Sequence, residues 1–391
     1  MKQTSILSAA GATGSKPSHD AAWDAAVNGI LTIDLDAIVA NWRKLDSRAV
    51  PAECSAVIKA DAYGCGAAPV ARALVGAGCK TFFVATAVEA RAVRLAAPGA
   101  TIYVLDGCFV GAAEAFAEID ARPVIGDLAE LAEWDAFCRR SGWSGGAALH
   151  VDTGMSRLGL SMAEAQSLLP RVHTGNHGLT LVLSHLACAE TIDHPMNARQ
   201  LGAFREIAQA FSGIPASLAN SSGIFLGPHF GFEMVRPGAA LYGINPTPEA
   251  DNPMKPVIQL QARIVQLRNI ERGETVGYGA TWTARRPTRL AVVAAGYADG
   301  YFRAAGGVDG VRSAEVMVAG RRCPIAGRIS MDLLAVDITD VPPNAVRRGH
   351  LVTLIGEGIT VDEVAHHFDT IGYEVMTSLG HRYARVYRGA V

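Results

Sequence analysis

Between residues 30 and 245 the chain repeats one pattern: a short apolar run, a polar residue or turn, then a stretch of helical composition. The apolar runs fall at 56–58, 82–85, 102–105, 123–125, 148–151, 181–183, 216–219 and 234–235. Ala- and Leu-rich segments such as 128–140, 162–172 and 197–211 lie between them and suit helices. Runs that are continuous rather than alternating suit strands covered on both faces, and strand–helix alternation makes a parallel sheet. Eight such units in about 215 residues predict an α/β fold, a (β/α)8 TIM-type barrel. A doubly wound sheet carries the same composition, and periodicity alone leaves it open.

The texture changes after Pro246, Pro248 and Pro253. Alternating runs at 257–265, 290–295, 314–318, 335–338 and 351–355 are separated by Gly and Pro, and helical composition is confined mainly to 361–368. This predicts a second, mostly β domain. At 391 residues the chain is too long for one ordinary core. The expected division is a flexible N-terminal leader over 1–28, a barrel over 29–250 and a β domain over 251–391. The leader has no apolar core long enough for a signal peptide, and no stretch reaches the ~18 apolar residues of a membrane span.

A net charge of −2 leaves no electrostatic footprint for nucleic acid or an anionic membrane. Seven cysteines without a C-x-x-C pair argue against a disulfide framework or a structural zinc site and favour a reducing, cytoplasmic setting. No metal is expected.

The polar residues that end the apolar runs carry the chemistry. They are Lys59, Thr86, Asp106, Asp127, Asp152 with Thr153, Ser184 with His185, Asn220 with Ser221, and Arg236. In a barrel they converge on the C-terminal face around one cavity. Lys59 lies in VIKADAYGCG, where a strand runs into a glycine-freed turn. A neutral lysine amine forms a Schiff base with a carbonyl, including the aldehyde of pyridoxal phosphate. A strand-capping surface lysine explains this segment equally well.

Other segments read singly are just as open. Arg157, in a glycine-bounded loop, suits a carboxylate clamp or simple solvation. His185 alone is more often structural than catalytic. Ser221 and its neighbours suit a phosphate held by backbone N–H groups or a helix cap. Arg236, before Pro237 and Gly238, ends the last apolar run, where barrels commonly bind phosphate.

Taken together, seven motifs decide among these readings: VIKADAYGCG, DTGMSRLG, SHLACAE, LANSSG, MVRPGAALYG, GYGATW and GRISMD, in that order. In them the chain closely resembles the alanine racemases from about residue 30 to 390. The resemblance implies pyridoxal phosphate as cofactor, interconversion of L- and D-alanine, and a homodimer with active sites shared between subunits. It also implies a supply of D-alanine for peptidoglycan.

By this resemblance Lys59 holds the cofactor and is the base on one face, and Tyr278, from the other subunit, is the base on the opposite face. Racemisation needs such a pair, because a single base confined to one face tends to retain configuration. A free tyrosine titrates near pH 10, so Tyr278 needs a neighbour; in the family's pattern His185 lies beside it and links it to Arg236. Arg236 matches the arginine facing the pyridine nitrogen, where a cation disfavours protonation. Tyr63, Ser221 and the backbone of Gly238 and Ala239 match phosphate-binding positions. Arg157 and the Met331 backbone match contacts to the substrate carboxylate, Met331 from the partner chain.

Two positions depart from the pattern. Some members carry a carbamylated lysine seven residues before the arginine of DTGMSRLG, where this chain has His150. Some place a phosphate-binding, entrance-lining tyrosine where His381 stands here, with Tyr383 two positions later. Three rivals differ in kind. A racemase of broader specificity would use the same machinery. A non-catalytic pyridoxal phosphate carrier would lack the second domain. A barrel decarboxylase would put a carboxylate in place of Arg236.

Overall fold

The computed structural model describes residues 26–172, 178–311 and 313–389. The expected leader over 1–28 lies almost wholly outside them. Two compact units emerge: Asp34–Val257 with the last few residues, and the chain up to Ile33 with Ile258–Val386.

In the first unit seven parallel strands lie side by side in chain order. They are Ala56–Val57, Thr81–Val84, Thr101–Val104, Ala121–Ile125, Ala147–His150, Leu179–Leu183 and Ala216–Ser217. Their apolar side chains are buried on both faces, as the continuous runs predict. Met234–Val235 completes the set by pairing in parallel with Glu53–Cys54, just ahead of the first strand. Val57 N donates to Pro237 O at 2.9 Å, and Arg236 N donates to Ala219 O at 2.9 Å. The eighth strand is therefore bonded to both the first and the seventh. An open, doubly wound sheet has two free edges; here the edges meet, and the sheet is a barrel.

Several connecting helices start where a small polar residue satisfies free N–H groups. Asp34, Thr86 and Asp127 cap Leu35–Ala49, Ala87–Ala96 and Leu128–Ser141. The helix expected over 162–172 is broken into Met162–Ser167 and Leu169–Val172. Pro170 has no N–H to continue the helical ladder, which accounts for the break.

One local structure could not be foreseen. After Lys59, four consecutive non-glycine residues turn left-handed, with φ of 51°, 53°, 54° and 55° at Ala60, Asp61, Ala62 and Tyr63. Such a turn costs about 1–2 kcal/mol per residue. It is held by Ala62 N to Ile58 O at 3.0 Å, Gly66 N to Asp61 O at 2.8 Å, and Ala67 N to Asp61 Oδ1 at 2.7 Å.

The second unit is mostly β, as its alternating runs predict. Its long strand Ile258–Ile270 pairs antiparallel with Thr288–Val293 and Leu351–Ile355. It also pairs with Gly29–Asp34, from Gly29 opposite Ala262 to Ile33 opposite Ile258. The division at residue 29 placed that strand with the barrel, whereas its hydrogen bonds lie in this sheet. A side chain at Gly29 would come within 2.7 Å of Tyr383 Cδ1, so the close packing there needs glycine. A further helix, Gly372–Ser378, follows the expected one, seen as Val361–His367.

Candidate active site

The barrel mouth gathers most of the residues singled out by their motifs. Lys59 leaves the first strand beside the second, since Ile58 N donates to Phe83 O at 2.9 Å. Burial lowers the Lys59 pKa, with help from the charge of Arg157; Asp106 and Glu89 pull against the shift.

Arg236 is only 4% exposed. Its Nη1 donates to Ser217 Oγ at 2.6 Å and its Nη2 to Ser184 O at 2.5 Å, while Nη2 lies 3.5 Å from His185 Nδ1. These partners are all neutral or polarisable, and none is a carboxylate. Burial brings the guanidinium down to about 10, so it remains cationic at neutral pH. Burial, then the charge of Arg236, pushes His185 well below the usual histidine range, so it is neutral.

Ser221 Oγ accepts from Gly238 N at 3.0 Å and Ala240 N at 3.1 Å, which leaves its own O–H to donate elsewhere. The neighbouring Asn220 braces the chain that follows, its Oδ1 accepting from Gly223 N at 2.9 Å. Ala239 opens the turn Ala239–Tyr242, whose first N–H groups have no partner within the turn. Tyr63 stacks on Tyr242 with ring centroids 4.5 Å apart, and burial pushes its phenol up to about 12. A Cβ at Gly238 would stand 2.4 Å from the Tyr63 hydroxyl, so glycine is what lets this phenol meet the Ser221 cradle.

The loop carrying Arg157 is built by Asp152, whose Oδ1 accepts from Gly154 N at 2.9 Å and Met155 N at 2.8 Å. Thr153 Oγ1 meets Ser184 Oγ at 2.7 Å, and buried Gln200 donates to His185 O at 2.8 Å. The loop is thereby tied to the strand that ends in His185. Ser184, Gln200 and Ser217 were not picked out as site residues. Ser184 stood at a strand end, but for the other two no local pattern distinguishes a structural residue from one that serves a site. Arg157 itself is exposed.

His150 ends its strand half-buried, and burial, then Arg236 and Arg157, bring it down to about 4. It is neutral at pH 7 and offers Arg157 no negative charge. An unfolded histidine titrates near 6.5, so between that value and about 4 the unfolded chain binds more protons than the folded one. Stability should therefore fall as pH drops through this window, by about 2 kcal/mol from His150 at about pH 5. Thermal unfolding at about pH 7.5 and about pH 5 checks this, with a smaller acid-side loss expected in His150→Gln. Equal losses in both proteins would contradict it.

The remaining expected residues lie in the second unit. Tyr278 starts the turn Tyr278–Ala280, between Gly277 and Gly279, both left-handed with φ of 76° and 78°. A side chain at Gly277 would press on the Arg328 backbone at 3.3 Å. Tyr278 is 70% exposed and edges a groove of about 770 Å³, lined also by Glu274, Arg328, Ser330 and Leu334. Met331 is 50% exposed, and its carbonyl accepts from Ala298 N at 3.0 Å. His381 is exposed, whereas Tyr383 is buried beside Asp299 and Tyr301, its phenol pushed up by burial.

The barrel residues fit pyridoxal phosphate. A small-residue cradle with spare N–H and O–H donors suits a phosphate. A buried guanidinium with uncharged partners suits a neutral ring nitrogen, and a desolvated lysine suits the aldehyde. Fold and site define a pyridoxal-phosphate enzyme of the barrel class.

Known proteins narrow the class. The model of the alanine racemase N-terminal domain matches residues 33–246, and that of the C-terminal domain matches 257–387. An alanine racemase of Methylobacterium nodulans is 54% identical over 357 residues, covering 91% of this chain and 95% of its own. A biosynthetic alanine racemase of Agrobacterium fabrum is 44% identical over 91% of this chain and 93% of its own. The crystal structure of alanine racemase from Bartonella henselae with covalently bound pyridoxal phosphate superimposes with a TM-score of 0.86 at 40% identity, covering 92% of this chain and 99% of that one. This chain belongs to the alanine racemase family. Among the described residues, no helix is long and apolar enough to cross a membrane.

Proposed function

We propose that the protein interconverts L-alanine and D-alanine in a homodimer that shares its active sites, supplying D-alanine for peptidoglycan from the cytoplasm. The observation that carries this reading is the pairing, on adjacent barrel strands, of a desolvated lysine with a buried guanidinium whose hydrogen-bond acceptors are uncharged. The relatives supply the substrate. Seven free thiols suit a reducing compartment.

When bound, pyridoxal phosphate supplies an electron sink that acidifies the α-proton of the attached amino acid. Lys59 anchors the cofactor and then carries a proton at Nζ on one face of the substrate. Its lowered pKa increases the neutral fraction that can accept that proton. Tyr278, supplied by the other subunit, carries a proton at its phenol oxygen on the opposite face. Its exposure in one protomer suits a residue whose working partners lie on a second chain. Arg236 presents a cation to the ring nitrogen and disfavours its protonation, which restrains side reactions. Neutral His185 joins Arg236 to Tyr278. Tyr63, Ser221 and the backbone around Gly238 and Ala239 hold the phosphate, and Arg157 and the Met331 backbone hold the substrate carboxylate.

The test is a panel of L-amino acids incubated with the enzyme and added pyridoxal phosphate, each assayed for D-product. Alanine should be turned over far faster than serine, lysine or arginine. Comparable rates across the panel would instead establish a broad-specificity racemase, and no D-alanine at all would refute the proposal.

A further inference from the structure

We propose that Glu89 is a positioning residue for Lys59: its carboxylate bridges the first N–H after the lysine to the end of the neighbouring barrel strand and so sets where the lysine leaves the barrel wall. The inference rests on the reading of Lys59 as the cofactor-bearing lysine.

Glu89 sits in the first turn of Ala87–Ala96 and exchanges hydrogen bonds with Thr86 as a capping box. A cap needs no more than that exchange. Here the carboxylate also reaches away from its own helix. Oε1 accepts from Ala60 N at 2.7 Å, and Oε2 accepts from Ala85 N at 2.8 Å and Thr86 N at 3.2 Å. One side chain therefore joins two strand ends, one oxygen on each.

The Ala60 contact matters because Ala60 begins the left-handed turn. Strained backbone persists only where its surroundings over-determine it. Several of the turn's bonds run within residues 58–67 and shape it, and at its far end Tyr63 stacks on Tyr242. Glu89 anchors it to a neighbouring strand, one residue from Lys59. Its negative charge also lies close enough to oppose the downward shift of the lysine.

The chemistry of the bridge makes the test specific. Glu89→Gln keeps the volume and one acceptor oxygen but replaces the other oxygen with an NH₂ donor, which faces an N–H donor at one end. Glu89→Ala removes both ends. In the holoenzyme, both variants should lose about tenfold or more in kcat, with KM for L-alanine changed less than about threefold. Amide hydrogen exchange at Ala60 should accelerate in both, and the pH titration of the visible cofactor band should shift. If Glu89→Gln restores wild-type kcat, exchange and titration, Glu89 is only a cap and the proposal is overturned. Borohydride reduction followed by peptide mapping tests the underlying reading separately: the pyridoxyl group should be found on Lys59. Its appearance on another lysine would overturn the Lys59 assignment, and with it this inference, whatever the Glu89 variants do.

Discussion

Lys59→Ala should remove the visible band given by the lysine-bound cofactor and reduce racemisation by at least about 10³-fold. Two losses coincide in this one substitution: the amine that anchors the cofactor and the base on one face. The cradle of Ser221, Gly238 and Ala240 lies on other strands and is bonded independently of Lys59, so the variant should still bind the cofactor's phosphate. The expected signature is therefore a protein that retains pyridoxal phosphate on dialysis, shows a free-aldehyde spectrum and does not turn over. Full activity in Lys59→Ala would sink the assignment of the lysine.

Tyr278→Phe should lower kcat by about 10²–10⁴-fold, the range for losing one general acid–base group, while leaving the cofactor spectrum intact. A sharper consequence follows from the two faces. With Lys59 still in place, one enantiomer of alanine should continue to exchange its α-hydrogen with deuterated solvent, while inversion to the other enantiomer collapses. Exchange and inversion falling together for both enantiomers would argue against Tyr278 as the opposite base. Mixing Lys59→Ala and Tyr278→Phe subunits should restore part of the activity, because one of the two shared sites in the heterodimer would draw neither altered residue. Confirmed heterodimers without recovery would count against sites shared between subunits.

Much of the barrel was legible in advance. Strands buried on both faces must be apolar throughout, and residues that end parallel strands all point to one face. Lys59, His185, Ser221 and Arg236 could therefore be placed around one mouth by their positions at the ends of apolar runs. Closure was not legible, since it rests on the Val57 amide bonding the Pro237 carbonyl, far away in sequence. Nor was the membership of Gly29–Asp34, a short apolar strand that reads equally well in either sheet until its partner, Ile258–Ile270, is known.

The supporting shell was the least visible. The pattern Thr86-x-x-Glu89 announces a capping box, which is a local signal. Nothing local says that the same carboxylate also accepts from Ala60, or that Ser217 and Ser184 receive Arg236. Likewise His150 was recognisable as a departure from the family's pattern. Its neutrality comes from burial and from two arginines brought near it by folding.

By itself, the sequence determined the alternation of strands and helices, the β texture after residue 250, and which chemical groups stand at the strand ends. Those properties follow from periodicity and side-chain type, which are local. Only the tertiary structure decided that Lys59 opens into a left-handed turn, that Arg236 is satisfied without a carboxylate, and that the Tyr278 phenol stays exposed in the protomer. Each of these depends on burial and on hydrogen bonds between residues distant in the chain, and a desolvated charge or a strained turn has no meaning until its surroundings are in place.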